Sequence, residues 1–221
     1  MYCLNKLWLI LLSLCLTACS QIAINHGKSV PLSIAGINQN MPNCEYSAEA
    51  AKVGIYHFQF PEASSNDLVQ VQGYKVHKIM SKALQQMIID ARSQGVQLKI
   101  VSAFRSIKAQ HNIIQRKQNK GLAAKQIYFF SAASGFSEHH TGLAIDFYPI
   151  NSGFSGSNTY QWLVENAGKY GFVQTFTEIN SKITGISVEP WHWKYVGDEQ
   201  AKALLANAEC YRLPKSQWQR Q

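Results

Sequence analysis

Two short segments of this chain alternate apolar and polar side chains with the period of a β-strand, and each places a carboxylate or an imidazole opposite its apolar face. In residues 143–147 every second side chain is bulky and apolar, and Asp146 lies on the other face. In residues 191–196 the aromatic side chains share one face, and His192 lies on the other. The two segments predict a small antiparallel sheet that carries both Asp146 and His192.

A second histidine, His139, lies just before the first of these strands. Gly142, between them, supplies a flexible bend that lets His139 fold back towards Asp146. Two histidines and an aspartate, with a fourth position left to water, are typical ligands of a catalytic zinc ion. The spacing therefore indicates a Zn2+ site formed by His139, Asp146 and His192.

Glu189 stands three residues before His192, and Pro190 directly follows it. The proline argues against a helix through both residues, which excludes the helical two-histidine motif of other zinc peptidases. A glutamate held next to a zinc ion, but not on it, can take a proton from a water whose pKa the ion lowers. Glu189 is therefore a candidate catalytic base.

Three sequence motifs follow one another along the chain: SAFRSIKAQ at 102–110, SEHHTGLAID at 137–146 and EPWHWKYVG at 189–197. In this order they resemble the VanY-type D-alanyl-D-alanine carboxypeptidases and their L,D-carboxypeptidase relatives of the LAS group. The resemblance extends from about residue 68 to residue 197. It implies a LAS/hedgehog-like fold, zinc-dependent peptide hydrolysis, and peptidoglycan stem peptides as the substrates.

The resemblance also implies a role for each residue that matches a family motif. The implied zinc ligands are His139, Asp146 and His192. Glu189 corresponds to the catalytic base, and Arg105 corresponds to the arginine that binds and polarises the substrate. Gln110 and Ser137 match positions near the substrate, and both are taken as substrate-binding residues.

His140 departs from the family pattern, because many relatives have glutamine or asparagine there, and it raises the question of which adjacent histidine binds metal. Strand alternation sends neighbouring side chains to opposite sides, so only one of the two is readily a ligand. The resemblance selects His139. We expect His140 either to support the site from outside the ligand set or to face solvent.

The N-terminal residues predict export. Lys6 precedes the apolar run 7–16, which is short for a membrane span but typical of a signal peptide. The run ends in Leu-Thr-Ala-Cys, which resembles the bacterial lipobox and implies cleavage before a lipidated Cys19. We expect residues 1–18 to be the signal peptide and residues 19–43 a lipidated tether. An uncleaved signal anchor is the alternative. Ser20 is not the aspartate that signals inner-membrane retention, so a periplasmic lipoprotein anchored in the outer membrane is expected.

Two cysteines, Cys44 and Cys210, remain after Cys3, Cys15 and Cys19 are assigned to the signal and the lipid anchor. In an oxidising compartment we expect them to form a disulfide. Closing so long a loop contributes roughly 4 to 5 kcal/mol in the chain-entropy model. Two separate buried thiols are the alternative.

The rest of the chain reads as one zinc carboxypeptidase domain over residues 44–213, followed by a polar tail at 214–221. Apolar spacing predicts helices over residues 76–91, 106–119, 159–170 and 199–209, and a strand over 98–104. Gly95 is expected to end the first helix and Asn158 to cap the third. Strands and helices mix without regular βαβ alternation, which favours an α+β fold with helices packed on a small antiparallel sheet.

The net charge of +8 favours anionic partners such as cell-wall polymers or lipid head groups. No nucleic-acid-binding motif is present, and an exported protein has little access to nucleic acid, so that partner is excluded. The leading functional hypothesis is a D,D-carboxypeptidase that removes the terminal D-alanine of pentapeptide stems. An L,D-carboxypeptidase or a peptidoglycan endopeptidase would use the same zinc chemistry. A non-catalytic cell-wall-binding lipoprotein is the hypothesis from a different class.

Overall fold

The computed structural model describes residues 42–221. Along these residues the strands are β1 (Glu45–Tyr46), β2 (Leu68–Val71), β3 (Tyr74–His77), β4 (Ile100–Ser102), β5 (Ala144–Phe147), β6 (Phe172–Gln174), β7 (His192–Tyr195) and β8 (Gln219–Arg220). The α-helices are α1 (Ala48–Ala51), α2 (Lys78–Ser93), α3 (Ile107–Asn119), α4 (Ala124–Phe130), α5 (Asn158–Asn166), α6 (Glu178–Thr184) and α7 (Glu199–Leu204). The predicted signal peptide, the predicted lipidation at Cys19 and nearly all of the predicted tether lie outside the described residues.

The centre of the fold is a four-stranded antiparallel sheet in the order β4-β5-β7-β6. Asp146 on β5 lies directly opposite His192 on β7, and Ser102 on β4 lies on the other side of Asp146. Residues that face each other across an antiparallel pair project from the same face of the sheet. The sheet therefore presents Asp146 and His192 side by side, as their sequence alternation predicts.

The opposite face of this sheet contributes to the main hydrophobic core. Apolar residues of the sheet cluster there with the buried face of α2, which comprises Met80, Leu84, Met87, Ile88 and Ala91. Gly95 follows α2 with a left-handed backbone, as expected of a helix stop. The predicted α+β class, with helices packed on a small antiparallel sheet, is confirmed.

Several element boundaries differ from the sequence predictions. The third predicted helix is capped by the Ser157 side chain, not by Asn158, and its last residues form a separate 3-10 helix at Ala167–Tyr170. The fourth predicted helix ends at Leu204, and Ala206–Arg212 continues as a 3-10 helix. The strand predicted over 98–104 is limited to β4, and its pairing with β5 is irregular between Ile100 and Ser102.

The two ends of the domain are joined to each other. The Cys44–Cys210 disulfide predicted from the sequence is present, with 5.4 Å between the Cα atoms. Residues 214–221, expected to be a polar tail, instead pack on the domain: β8 pairs with β1, and Trp218 is buried and donates to the Cys210 carbonyl. One indole buries enough apolar surface to hold an otherwise polar segment. No helix within residues 42–221 has the length and apolarity to cross a membrane.

Candidate metal centre and active site

The turn that precedes β5 brings His139 onto the polar face of the sheet. Residues Glu138–Thr141 form a 3-10 helix that ends at Gly142, whose φ of 68° lies in the left-handed region. A Cβ atom at Gly142 would meet the backbone nitrogen of His77 and the side chain of Leu68, both at 3.0 Å. Glycine is required here because the backbone is left-handed and because no space is left for a Cβ atom. The predicted bend is therefore present, and it directs His139 towards Asp146.

Three potential metal ligands converge at this point. Nε2 of His139 lies 3.1 Å from Oδ2 of Asp146, and Nδ1 of His192 lies 3.0 Å from Oδ1 of the same carboxylate. One ligand atom from each residue lies within 4.8 Å of the others, and all three side chains are buried. The arrangement fits a zinc ion, because the donors are those zinc prefers and they come from three separate segments around one point.

The remaining nitrogen of each histidine is fixed by an acceptor. Nδ1–H of His139 donates to the carbonyl of Ala103 at 2.7 Å, and Nε2–H of His192 donates to Oε2 of Glu138 at 2.9 Å. Partners of this kind select the tautomer of a metal-binding histidine and fix its ring orientation. The carboxylate of Glu138 is thus part of the site, a role that was not predicted from the sequence.

Charge is balanced within this buried group. Burial alone would raise the pKa of Asp146, but the imidazoles of His139 and His192 hold that pKa well below its usual range. Burial would lower the pKa of His192, but its hydrogen bonds to Asp146 and Glu138 raise it to about 10. The carboxylates of Asp146 and Glu138 thus lie on opposite sides of the His192 ring. Their negative charges favour a cation in the space between His139, Asp146 and His192.

Glu189 lies in the same cavity, beside the three ligands. Its backbone N–H donates to the carbonyl of Phe176 at 3.0 Å, and its Oε1 accepts a hydrogen bond from the hydroxyl of Ser187 at 3.1 Å. Burial raises the pKa of Glu189 to about 7, against the opposing effect of His192. A carboxylate with a pKa near neutrality is well matched to exchange protons with substrate and water.

Arg105 faces Asp146 across the cavity. Its NH1 donates to Oε1 of Gln110 at 2.8 Å, its NH2 donates to Ser102 at 2.9 Å, and NH2 lies 4.0 Å from Asp146. Gln110, predicted to contact substrate, is instead fully buried and holds Arg105 from behind. Its buried position on α3 follows from helical geometry, because Gln110 and Ile114 are the inward-facing residues of that helix. Ser137 lines the cavity, as predicted for a residue near the substrate.

His140 is not available as a metal ligand. Its Nδ1–H donates to the carbonyl of Arg105 at 2.6 Å, and its Nε2 accepts from the backbone N–H of Gly135 at 3.1 Å. Of the two expectations for it, exposure to solvent is wrong, because its side chain is fully buried, and support from outside the ligand set agrees with its bond to Arg105. Strand alternation does not separate His139 from His140, since both belong to a 3-10 turn. What distinguishes them is that both nitrogens of His140 are already bonded to the backbone.

The cavity in front of these residues has a volume of about 380 Å³. One part of its wall is cationic and formed by Arg105 and Lys117, whose Nζ donates to Ser131 at 2.6 Å. Another part is apolar and includes Phe130 and Trp191. Lys117 lies in the last turn of α3 with no motif around it, so nothing in the sequence pointed to this position. A cavity of this size and polarity suits a short peptide segment with a negative charge.

Comparison with known proteins gives a consistent result. Residues 73–198 match the family model described as "VanY: D-alanyl-D-alanine carboxypeptidase". A D-alanyl-D-alanine carboxypeptidase from Enterococcus faecalis is 32% identical over 146 residues, which cover 62% of this chain and 54% of that protein. The chain spans about half the length of the first curated relatives that it matches.

Two solved structures are similar to the domain. A mutant of the vancomycin resistance D,D-pentapeptidase VanY in complex with Zn(II) aligns with a TM-score of 0.51 and 30% identity, and the alignment covers 69% of this chain and 89% of that one. The LD-carboxypeptidase LdcB aligns with a TM-score of 0.56 and 30% identity, and the alignment covers 72% and 81% of the two chains.

Proposed function

The chain belongs to the VanY family of D-alanyl-D-alanine carboxypeptidases, and on this premise we propose that it is a zinc-dependent carboxypeptidase that removes the terminal D-alanine from peptidoglycan stem peptides. The observation that carries the proposal is the convergence of His139, Asp146 and His192 beside Glu189, in a cavity with a cationic wall. Hydrolysis of a C-terminal amide by a metallopeptidase uses a metal site, an adjacent base and a group that binds the terminal carboxylate.

His139, Asp146 and His192 would hold the zinc ion, which when bound supplies Lewis acidity and lowers the pKa of water to about 7. Glu189 accepts the proton of the attacking water on its carboxylate and returns it to the nitrogen of the leaving D-alanine. Its pKa of about 7 suits both directions of transfer. The hydrogen bond from Ser187 fixes one carboxylate oxygen of Glu189, and Glu189 lines the cavity.

The cationic wall orients the substrate. The guanidinium of Arg105 is held by Gln110 and Ser102, so it presents a fixed set of donors to the scissile carbonyl or the terminal carboxylate of the peptide. Lys117 adds a second positive charge at the same wall. Ser137 lines the cavity close to the metal ligands and offers a hydroxyl to the peptide. These groups favour a substrate that ends in a free carboxylate over an internal peptide segment.

An L,D-carboxypeptidase that acts on tetrapeptide stems is the second candidate. The similarity to the LD-carboxypeptidase LdcB favours it, and the zinc ligands and base would be the same. An endopeptidase that opens peptide crosslinks is the more distant variant. A cell-wall-binding protein without catalysis would have no use for a partly buried glutamate beside the metal ligands, at the position of Glu189.

Mass spectrometry of muropeptides after incubation with the zinc-loaded protein separates these candidates. Loss of one alanine from pentapeptide stems alone is the expected result. Loss from tetrapeptide stems alone would replace the D,D assignment with L,D, and cleavage of crosslinked dimers alone would indicate an endopeptidase. If none of these is cleaved by protein shown to contain zinc, the carboxypeptidase proposal fails. Protein stripped of metal by a chelator is the matched control.

We also propose that the chain is an exported lipoprotein, periplasmic and anchored in the outer membrane through Cys19. The support is the lipobox-like Leu-Thr-Ala-Cys at 16–19, together with a disulfide of a kind that persists in oxidising compartments. Labelling of cells with a palmitate analogue tests this: wild-type protein should incorporate the label, and Cys19→Ala should not. Label retained by the variant would refute the assignment.

A further inference from the structure

We infer that Glu138 is a positioning residue of the metal site, which holds His192 in the orientation and tautomer that bind the ion. The inference rests on the proposed function, since it assigns a role within the same zinc site. The carboxylate of Glu138 does not reach the three ligand atoms. It acts through the outer nitrogen of His192, 2.9 Å from its Oε2.

The contact between Glu138 and His192 decides which imidazole nitrogen can bind a metal. A carboxylate accepts hydrogen bonds and cannot donate them, so the nitrogen that faces Glu138 carries the proton. The other nitrogen, Nδ1, faces Asp146 at 3.0 Å and is the one within reach of the ligand group. Without Glu138 the ring would be free to rotate or to take the other tautomer, and each alternative removes the lone pair from the site.

Glu138 is itself held in place by two other side chains. The hydroxyl of Thr175 donates to Oε2 at 2.8 Å, and Nζ of Lys194 lies 3.7 Å from Oε1. Glu138 and Lys194 are only 4% and 3% exposed, so their charges interact with little screening by solvent. Lys194 lies two residues beyond His192 on β7, so strand alternation places both side chains on the same face.

Glu138 could position His192, or it could only compensate the charge of Lys194, and removal of both charges distinguishes these two roles. Lys194 has a second carboxylate partner in Glu209, at 3.1 Å, and Glu209 is 44% exposed and is not bonded to His192. If Glu138 served only to neutralise a buried lysine, removing both charges would restore everything that removing Glu138 alone disturbs. If Glu138 positions His192, removing both charges would restore the stability lost to the unpaired Lys194 charge but not the affinity for metal.

The experiment compares Glu138→Met with the double variant Glu138→Met/Lys194→Met. Zinc dissociation constants are measured by competition with a chromophoric chelator, and melting temperatures are measured on the metal-free proteins. We expect Glu138→Met to lower both the melting temperature and the zinc affinity, the latter by about 10- to 100-fold. The double variant should recover the part of the melting temperature that was lost to the unpaired charge of Lys194, whereas Nε2–H of His192 stays without its acceptor. Its zinc affinity should stay about 10- to 100-fold weaker than that of the wild-type protein.

Glu209→Gln is the matched control, because it removes a carboxylate from Lys194 without touching His192, and we expect its zinc affinity to stay within about twofold of wild type. Glu138→Gln, which keeps an acceptor oxygen but not the charge, should give an intermediate loss and supplies an answer if the methionine variants fail to fold. Wild-type zinc affinity in the double variant or in Glu138→Gln would overturn the inference. Failure of the wild-type protein to bind zinc would instead overturn the proposed function.

Discussion

Replacing Glu189 by glutamine should make the metal-free protein more stable at alkaline pH. The side chain is partly buried in the wall of the cavity, and this burial raises its pKa to about 7 from an ordinary 4.5. A carboxyl whose pKa is higher in the folded state binds its proton more tightly when folded. It therefore costs no stability below pH 4.5, and it destabilises the fold progressively as the pH rises from 4.5 through 7. Glutamine is neutral throughout and avoids this cost.

The magnitude follows from the pKa shift. Each pKa unit corresponds to about 1.4 kcal/mol, so ionising Glu189 above pH 7 costs roughly 3 kcal/mol of unfolding free energy. For a protein of this size that is about 6 to 12 °C in melting temperature. At pH 4.5 the same calculation gives a cost of less than about 0.5 kcal/mol of unfolding free energy. The advantage of Glu189→Gln should therefore be large at pH 8 and nearly absent at pH 4.5.

Thermal unfolding of both proteins, stripped of metal, measures this difference. Glu165→Gln is the control, because Glu165 is exposed on α5 and its replacement should change stability by less than about 0.5 kcal/mol at either pH. Zinc should reduce the advantage of Glu189→Gln, since a nearby cation favours the ionised carboxylate. An equal advantage at both pH values, or none at pH 8, would show that folding does not raise the pKa of Glu189 as described.

Three further predictions concern the ligands, the cationic wall and the disulfide. Asp146→Ala should purify without zinc by elemental analysis, because Asp146 contacts both histidine ligands; stoichiometric zinc in that variant would contradict the ligand assignment. Arg105→Lys should retain zinc but lose about 10²-fold in kcat/KM for peptide hydrolysis, because an ammonium cannot reproduce the fixed fork of donors; unchanged kinetics would remove Arg105 from the mechanism. Cys210→Ser should lower the unfolding free energy in denaturant titrations by about 5 kcal/mol, given the 166-residue separation of the bridged cysteines; a loss below about 1 kcal/mol would refute the loop-entropy argument.

The metal ligands were predictable because their geometry follows from local rules. Strand alternation put Asp146 and His192 on the polar faces of two strands, and a glycine before β5 allowed the bend that brings in His139. Both features depend on a few neighbouring residues. The choice of His139 over His140 came from the family resemblance, because strand alternation does not apply to a 3-10 turn.

The supporting groups were not predictable in the same way. Lys194 occupies a polar position of β7, where period-two patterning gives no sign that the side chain is buried. Its burial depends on Glu138, more than fifty residues earlier, and on Glu209 in a different helical segment. Lys117 and Gln110 likewise acquire their positions from the way α3 packs against α4 and the residues that follow α4. Long-range charge pairing of this kind has no local sequence signal.

The chain termini of the domain show the same limit. The disulfide was predictable from the cysteine count and the expected compartment, but the pairing of β8 with β1 was not. Residues 214–221 are mostly polar, and their composition alone predicts a tail that does not pack on the domain. Trp218 decides their position, because its ring packs against Tyr56 and Phe58 near the start of the domain. Burial of this one large side chain holds the segment on the domain, although its other residues are mostly polar.

Zinc content and alanine release, measured on the same preparations of wild type and Glu189→Gln, test the central claim most directly. The wild-type protein should bind one zinc ion and release D-alanine from a pentapeptide stem. Glu189→Gln should bind zinc equally well and release alanine at least about 10³-fold more slowly, because the three ligands remain but the proton acceptor is gone. Wild-type turnover in the zinc-loaded variant, or in wild-type protein stripped of metal, would contradict the account.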